Sequence, residues 1–208
     1  VGCRVLDKIK WLGHASIRIE AQKIIYIDPW KINGGPKADL ILISHSHYDH
    51  LSPADIRKIQ KEDTVIVAAG DAAAQLSGDV QVLQPGDKVT VQGVTVEAVP
   101  AYNIGKPYHP KANQWIGFLL TVEGKTIYYA GDTDFIPEMK EIKADIWILP
   151  VGGTYTMTAK EAAAVINMIR PEVAIPIHCG DLVGTFEDAA TFKQLCKAPV
   201  KIKPVVFS

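Results

Sequence analysis

Leu40-Ile41-Leu42-Ile43-Ser44-His45-Ser46-His47-Tyr48-Asp49-His50 sets four apolar residues directly before three histidines and an aspartate. The apolar run reads as a continuous strand, and its carboxyl end delivers the polar cluster. Imidazole and carboxylate are ligands of choice for zinc and similar divalent ions. A solvated turn has no need of histidines at i, i+2 and i+5 beside a carboxylate. His45 and His47, two apart in extended chain, can face one ion together. Asp49 and His50 are adjacent and need a turn to aim at a common point. The spacing therefore suggests two neighbouring ion positions, one for each pair.

Working outward, the 208 residues are 48% apolar with a formal net charge of −1. That is the composition of an ordinary globular protein, expected here as one domain over 1–208. No basic block or stripe offers a footprint for nucleic acid or an anionic membrane, so neither partner is expected. Cys3, Cys179 and Cys196 are too few and too scattered for a disulfide framework, and no Cys-x-x-Cys occurs. They suggest reduced thiols in a cytoplasmic protein. No apolar run approaches the ~18 residues of a membrane span, and no signal-like apolar segment opens the chain.

Before the histidine cluster, Ile9 to Glu20 reads as two strands broken at Gly13-His14, with Ile17 and Ile19 alternating against Arg18 and Glu20. A third strand, Lys23 to Ile27, ends in Asp28-Pro29-Trp30, and 31–37 is a loop. After the cluster, Ser52 caps a helix with Pro53 at its first position, running to about Lys61. Thr64 to Ala69 is a strand and 71–76 a short helix. Val80 to Leu83, Lys88 to Val91 and Val94 to Val99 read as an antiparallel meander. Pro100 to Gln114 is a long polar loop of the kind that is uncommon unless functional. Trp115 to Val122 and Lys125 to Ala130 form a hairpin leading to Gly131-Asp132-Thr133. Then follow strand 145–150, helix 158–169 with the capping pair Thr158 and Glu161, strand 172–177 ending at His178, helix 185–197 and a terminal strand 202–207. Asp132 and His178, like His45, thus stand at the carboxyl ends of predicted strands, where α/β sheets commonly place their sites.

His45-x-His47-x-Asp49-His50, followed by Gly131-Asp132-Thr133 and Pro176-Ile177-His178, resembles the metallo-β-lactamase superfamily over nearly the whole chain. The resemblance implies an α/β fold, a four-layer αβ/βα sandwich of two mixed β-sheets with a dinuclear site at one edge. It also implies roles: His45 and His47 on the first metal, Asp49, His50 and His178 on the second, Asp132 bridging, and Asp28 supporting the site. Trp11-Leu12-Gly13-His14-Ala15-Ser16 looks like the branch of metal-dependent hydrolases that includes the ascorbate-6-phosphate lactonase, and His14 is a candidate to line the site. One position departs from the pattern. Pro100-Ala101-Tyr102-Asn103 puts Asn103 where the superfamily usually supplies a third histidine to the first metal. Either His109, six residues on, swings in, or that metal keeps two histidines, Asp132 and water.

The expected activity is hydrolysis of an ester-like bond, a lactone or phosphodiester, in a small molecule, by metal-bound hydroxide with Asp49 as the catalytic carboxylate. Up to two divalent ions are expected, zinc first, with manganese or iron as alternatives. Candidate substrate contacts are His14, Asn103 and His109, with Trp30, Tyr102, Lys106 and Tyr155 in neighbouring loops; Lys106 beside His109 would suit a phosphate or carboxylate. The rival readings are a non-catalytic metal-binding module with a degenerate first site and an iron-dependent redox protein.

Overall fold

The two halves of the chain each build one six-stranded sheet in the computed structural model, which describes residues 4–207. Cys3 lies outside the described residues. In the first sheet, β1 (Ile9–Gly13), β2 (Ser16–Glu20) and β3 (Ile24–Ile27) run antiparallel. Then β4 (Leu40–Ile43), β5 (Val65–Ala68) and β6 (Asp79–Val82) continue parallel to β3. The second sheet repeats the plan. Strands β7 (Lys88–Val91), β8 (Val94–Pro100), β9 (Ile116–Val122) and β10 (Lys125–Tyr129) form antiparallel pairs. Strands β11 (Ile146–Pro150) and β12 (Val173–Ile177) then run parallel to β10.

Strand β4 shows why this sequence makes layers. All four of its residues are fully buried. Leu40 and Leu42 pack into the core between the sheets, with Ile17, Val96, Phe118 and Ile127. Ile41 and Ile43 point the other way, against Ile56 and Ile59 of α2 (Pro53–Ile59). A strand alternates faces with period two, so an unbroken apolar run is what two buried faces require. Each such side chain contributes ~1.5–3 kcal/mol by leaving water. On the second sheet, α4 (Ala159–Ile169) and α5 (Phe186–Leu195) cover β11 and β12. The helix starts follow the sequence: Ser52 caps α2, Thr158 with Glu161 forms a capping box on α4, and Thr185 with Asp188 does so on α5. The result is the αβ/βα sandwich of two mixed sheets.

Three local expectations are corrected. Of the three expected meander strands only β7 and β8 pair antiparallel, because β6 pairs parallel with β5 through the four-residue helix α3 (Gly70–Ala73) and belongs to the other sheet. Pro85-Gly86-Asp87 therefore carries the chain from one sheet to the other. The terminal segment 202–207 is not a strand: Val200 bridges Ala174 of β12, and Val205 bridges Trp11 of β1. A tail that ties the edges of two sheets cannot form a long ladder with either. A short helix, α1 (Arg4–Lys8), opens the described chain without having been expected. Among the described residues no helix is long and apolar enough to cross a membrane.

Candidate metal centre

All six histidines of the chain converge at one edge of the sandwich. His14 sits in the β1–β2 turn, His45, His47 and His50 follow β4, His109 comes from the β8–β9 loop, and His178 follows β12. Asp28 ends β3, and Asp132 lies just beyond β10. The backbone is held against its preference to bring them there. His14, Asp28 and His178 have φ of 47°, 46° and 58°, left-handed conformations costing on the order of 1 kcal/mol each. Hydrogen bonds hold two of these turns together: the His14 carbonyl accepts from Trp11 Nε1 and from the His178 amide, both at 2.9 Å. Gly131 (φ +67°) makes the turn that delivers Asp132, and a Cβ there would meet the Ile116 carbonyl at 3.1 Å.

His45, His47 and His109 form one group whose candidate ligand atoms lie within 4.8 Å of one another. Neighbours fix which nitrogen His45 and His109 present. Ser44 Oγ donates to the Asp28 carboxylate, so toward His45 Nδ1, 2.9 Å away, it accepts. Nδ1 of His45 therefore carries the proton, and Nε2 is free to face His47 Nδ1 at 3.2 Å. Asn103 Oδ1 accepts from both the backbone amide and Nδ1 of His109, at 2.9 and 3.0 Å. That leaves His109 Nε2 pointing to Asp132, 3.2 Å away. The third histidine of this group is thus supplied from six residues downstream, and Asn103 holds it. Of the two alternatives at this position, the geometry brings His109 beside His45 and His47.

His14, Asp49, His50 and His178 form a second group of the same compactness. Asp28 orients its innermost member: His50 Nδ1 donates to Asp28 Oδ2 at 2.8 Å, leaving Nε2 to face the site. His14 Nε2 lies 2.8 Å from Asp49 Oδ2. Asp132 stands between the groups, with Oδ1 3.3 Å from His50 Nε2 and 3.2 Å from His178 Nε2, and Oδ2 toward His109.

These spacings are those of ligands around ions. Two ligand atoms on a tetrahedral zinc at ~2.0–2.1 Å stand about 3.3 Å apart. Moreover His50 Nε2, His109 Nε2 and both ring nitrogens of His178 are buried yet make no well-directed hydrogen bond. Buried polar atoms are rarely left so. Nε2 of His50, His109 and His178 lie 3.2–3.3 Å from Asp132 without hydrogen-bond direction, an arrangement that suits ligands of a shared ion. The donor set, nitrogen and carboxylate oxygen only, fits a divalent transition metal.

A Beta-lactamase superfamily domain model matches residues 8–178. This chain belongs to the metallo-β-lactamase superfamily. It is 34% identical to a UPF0173 metal-dependent hydrolase of Thermococcus kodakarensis, over 90% of this chain and 91% of that one. Among solved structures it is similar to a proposed metal-dependent hydrolase of Parabacteroides distasonis, with TM-score 0.82 and 37% identity over 94% of this chain and 91% of that chain. A proposed zinc-dependent hydrolase of the superfamily from Thermotoga maritima matches with TM-score 0.65 and 26% identity, covering 91% and 86%. Within the metallo-β-lactamase superfamily, then, this is a metal-dependent hydrolase, with histidine and aspartate clusters able to bind a metal.

The electrostatics suit that role. Burial, reinforced by the charge of His50, keeps His45 well below the ordinary histidine range, and burial with His109 lowers His47. Both rings are therefore neutral and have lone pairs to give. Burial likewise lowers His14, against the pull of Asp49. Burial opposes ionisation of Asp132, but His178 and His50 outweigh it and hold the carboxyl well below its usual range. Burial would lower His50 too; Asp132 and Asp28 win and raise it well above the usual value. The field there favours positive charge, which a proton or a divalent cation supplies alike. Burial pushes the Cys179 thiol up to about 12, so it stays protonated and offers no thiolate beside His178.

A cavity of about 320 Å³ opens onto this metallo-β-lactamase centre, lined by His47, Tyr48, Asp49, Tyr108, His109, Asp132, Tyr155, His178, Leu182 and Val183. Of the sequence candidates for substrate contact, His109 and Tyr155 line it. The others lie outside this lining. His14 is buried under Asp49 and does not line the cavity. Asn103 is engaged with His109 and, through Nδ2, with the Tyr155 carbonyl at 2.9 Å. Lys106 is held by Asp134 at 2.6 Å and the Thr156 carbonyl at 2.8 Å. Tyr102 bonds Glu138, and Trp30 packs edge-on to His14. Tyr48, Tyr108, Leu182 and Val183 were missed as lining residues; an exposed aromatic inside the ligand motif, at Tyr48, was the available signal.

Proposed function

We propose that this hydrolase cleaves an ester-like bond of a small molecule, with His45, His47 and His109 holding one zinc ion and Asp49, His50 and His178 a second. Asp132 stands where it can serve both. The observation that carries the reading is the set of buried, unpartnered ring nitrogens arrayed at ligand spacing around Asp132. When bound, the ions supply Lewis acidity, making water acidic enough (pKa ~7) to act as a nucleophile at neutral pH. The chain's own part is positioning and proton handling. Asp28, Ser44 and Asn103 lock the rings so that the correct nitrogen faces inward. Asp49 lines the cavity, and its Oδ2 accepts from His14 Nε2, which fixes the carboxylate's direction. Burial raises the Asp49 carboxyl, but the His14 hydrogen bond and His50 outweigh it, so it is ionised and ready to take a proton. It then delivers that proton to the leaving alkoxide.

Asp49→Asn is expected to lower turnover of generic lactone, carboxylic ester or phosphodiester substrates by about 10²–10⁴-fold, with the fold retained by circular dichroism. Substrates tested with zinc, manganese and iron separately identify the working metal. An Asp49→Asn protein as active as the parent on every such substrate would sink the proposed role. Colour and bound iron, with no hydrolysis of any substrate, would move the protein to the redox reading.

A further inference from the structure

We infer that the substrate carries an uncharged apolar or aromatic group next to its scissile bond: a neutral aryl or alkyl ester or lactone, rather than a phosphate ester. This rests on the hydrolase reading above and specifies its substrate class. The wall of the cavity beyond the metal-facing residues is Tyr48, Tyr108, Tyr155, Leu182 and Val183. Four of these are large apolar side chains left open to solvent at the mouth: Tyr48 is 67% exposed, Tyr108 43%, Leu182 42% and Tyr155 39%. Two aromatic pairs stiffen it, Tyr108 with Tyr155 edge-on at 4.7 Å and Tyr48 with Trp30 at 6.0 Å. Exposed apolar surface gathered at a concave site marks a place for an apolar group.

Charge points the same way. The lining contains the carboxylates Asp49 and Asp132 but no lysine or arginine. The nearby ammonium groups are committed elsewhere: Lys31 to Asp181 at 3.0 Å and over the Trp30 ring at 4.3 Å, Lys106 to Asp134 and the Thr156 carbonyl. None of the lining residues lies in a helix whose N-terminus could face an anion. A phosphate or carboxylate outside the metal centre would lose its water with no lysine, arginine or lining helix N-terminus in exchange. At about 320 Å³ the cavity is at the small end of ligand sites, which run from ~300 to ~1,000 Å³; one ring with a short arm fits that scale. In the reaction, water oxygen bonds the acyl carbon and the acyl C–O bond breaks. The alkoxide takes one water proton by way of Asp49, and the new carboxylic acid releases the other to solvent.

The test pairs a γ-lactone bearing a phenyl group with the same lactone bearing a carboxymethyl group, and adds bis(p-nitrophenyl) phosphate. Binding is read by fluorescence titration of the zinc-loaded parent protein with the non-hydrolysable cyclic-ether analogue of each lactone, and kcat/KM with the lactones themselves. The phenyl lactone is expected to bind and react at least about tenfold better than its charged counterpart and than the phosphodiester. Tyr108→Ala and Leu182→Ser, at the exposed mouth, are expected to weaken phenyl-lactone binding about tenfold without changing metal content. Equal or better binding of the charged lactone or the phosphodiester overturns the inference, as does unchanged binding in both variants. Preferential binding of the phenyl lactone with no turnover by the parent supports this surface while refuting ester hydrolysis.

Discussion

Replacing His109 by alanine is expected to cut the divalent metal held by each chain from about two ions to about one. Turnover should fall by at least ~100-fold, a larger loss than the 10–100-fold typical of residues that only orient a ligand. The reason lies in the geometry of the loop. His109 is buried, its Nε2 lies 3.2 Å from Asp132, and no hydrogen bond satisfies that nitrogen. Its other nitrogen and its backbone amide are both taken by Asn103 Oδ1, and the Asn103 amide donates to the His109 carbonyl at 2.7 Å. The two residues thereby close residues 104–108 into a small loop that fixes the ring. Asn103→Ala should be a milder version of the same change, weakening one ion by about 10–100-fold in a chelator competition while leaving the ligand itself in place. Elemental analysis of the two variants beside the parent, with thermal unfolding as a control for the fold, checks both. If His109→Ala keeps both ions at parental affinity, the ion beside His45 and His47 is completed by water, and His109 has no ligand role.

Asp28→Ala is expected to produce the largest loss of stability of any change at the site. The Asp28 carboxylate is fully buried and accepts from the Ser44 amide at 2.8 Å, from Ser44 Oγ and from His50 Nδ1 at 2.8 Å. Tyr129 Oη lies 2.8 Å from it and 3.0 Å from the Ala15 carbonyl. Removing the carboxylate leaves Tyr129 an alternative acceptor but strands the Ser44 amide and the His50 ring in a dry interior. Each buried group left unpaired costs ~1–3 kcal/mol, and breaking a buried charged pair ~3–5 kcal/mol. A loss of about 3–5 kcal/mol is therefore expected, a large part of the ~5–15 kcal/mol that keeps a domain folded. Urea unfolding in excess chelator measures it free of any contribution from bound metal. A loss below about 1 kcal/mol would show that the Asp28 network is not what holds β3, β4 and β10 together at this edge.

How much of this was legible beforehand follows from which interactions are local. Leu40 to Ile43 announces a doubly buried strand because period two makes both faces visible in four residues. The histidines after it follow from residue chemistry and spacing, whereas the site roles of Asp132 and His178, at two further strand ends, come from the resemblance to the metallo-β-lactamase superfamily. Whether His109 swings in stays undecided in the sequence, because it depends on a small loop closed by Asn103, and asparagine in a polar stretch reads equally well as a turn. Strand β6 was assigned to the wrong neighbours because parallel pairing is nonlocal and its crossover helix has only four residues. The tail at 202–207 has strand-like composition, yet Val205 bridges one sheet while Val200, just before it, bridges the other. Lys106 illustrates the opposite failure: a cation near a candidate ligand suggested anion binding, but Asp134, 28 positions away in sequence, neutralises it.

The most direct measurement of the central claim is anomalous diffraction from crystals grown with zinc, recorded on both sides of the zinc absorption edge. The geometry predicts two peaks at the edge of the sandwich, one enclosed by His45, His47 and His109 and one by Asp49, His50 and His178, with Asp132 reaching both. A fully loaded protein with no peak at either group, or with zinc only on exposed carboxylates elsewhere, would contradict the account.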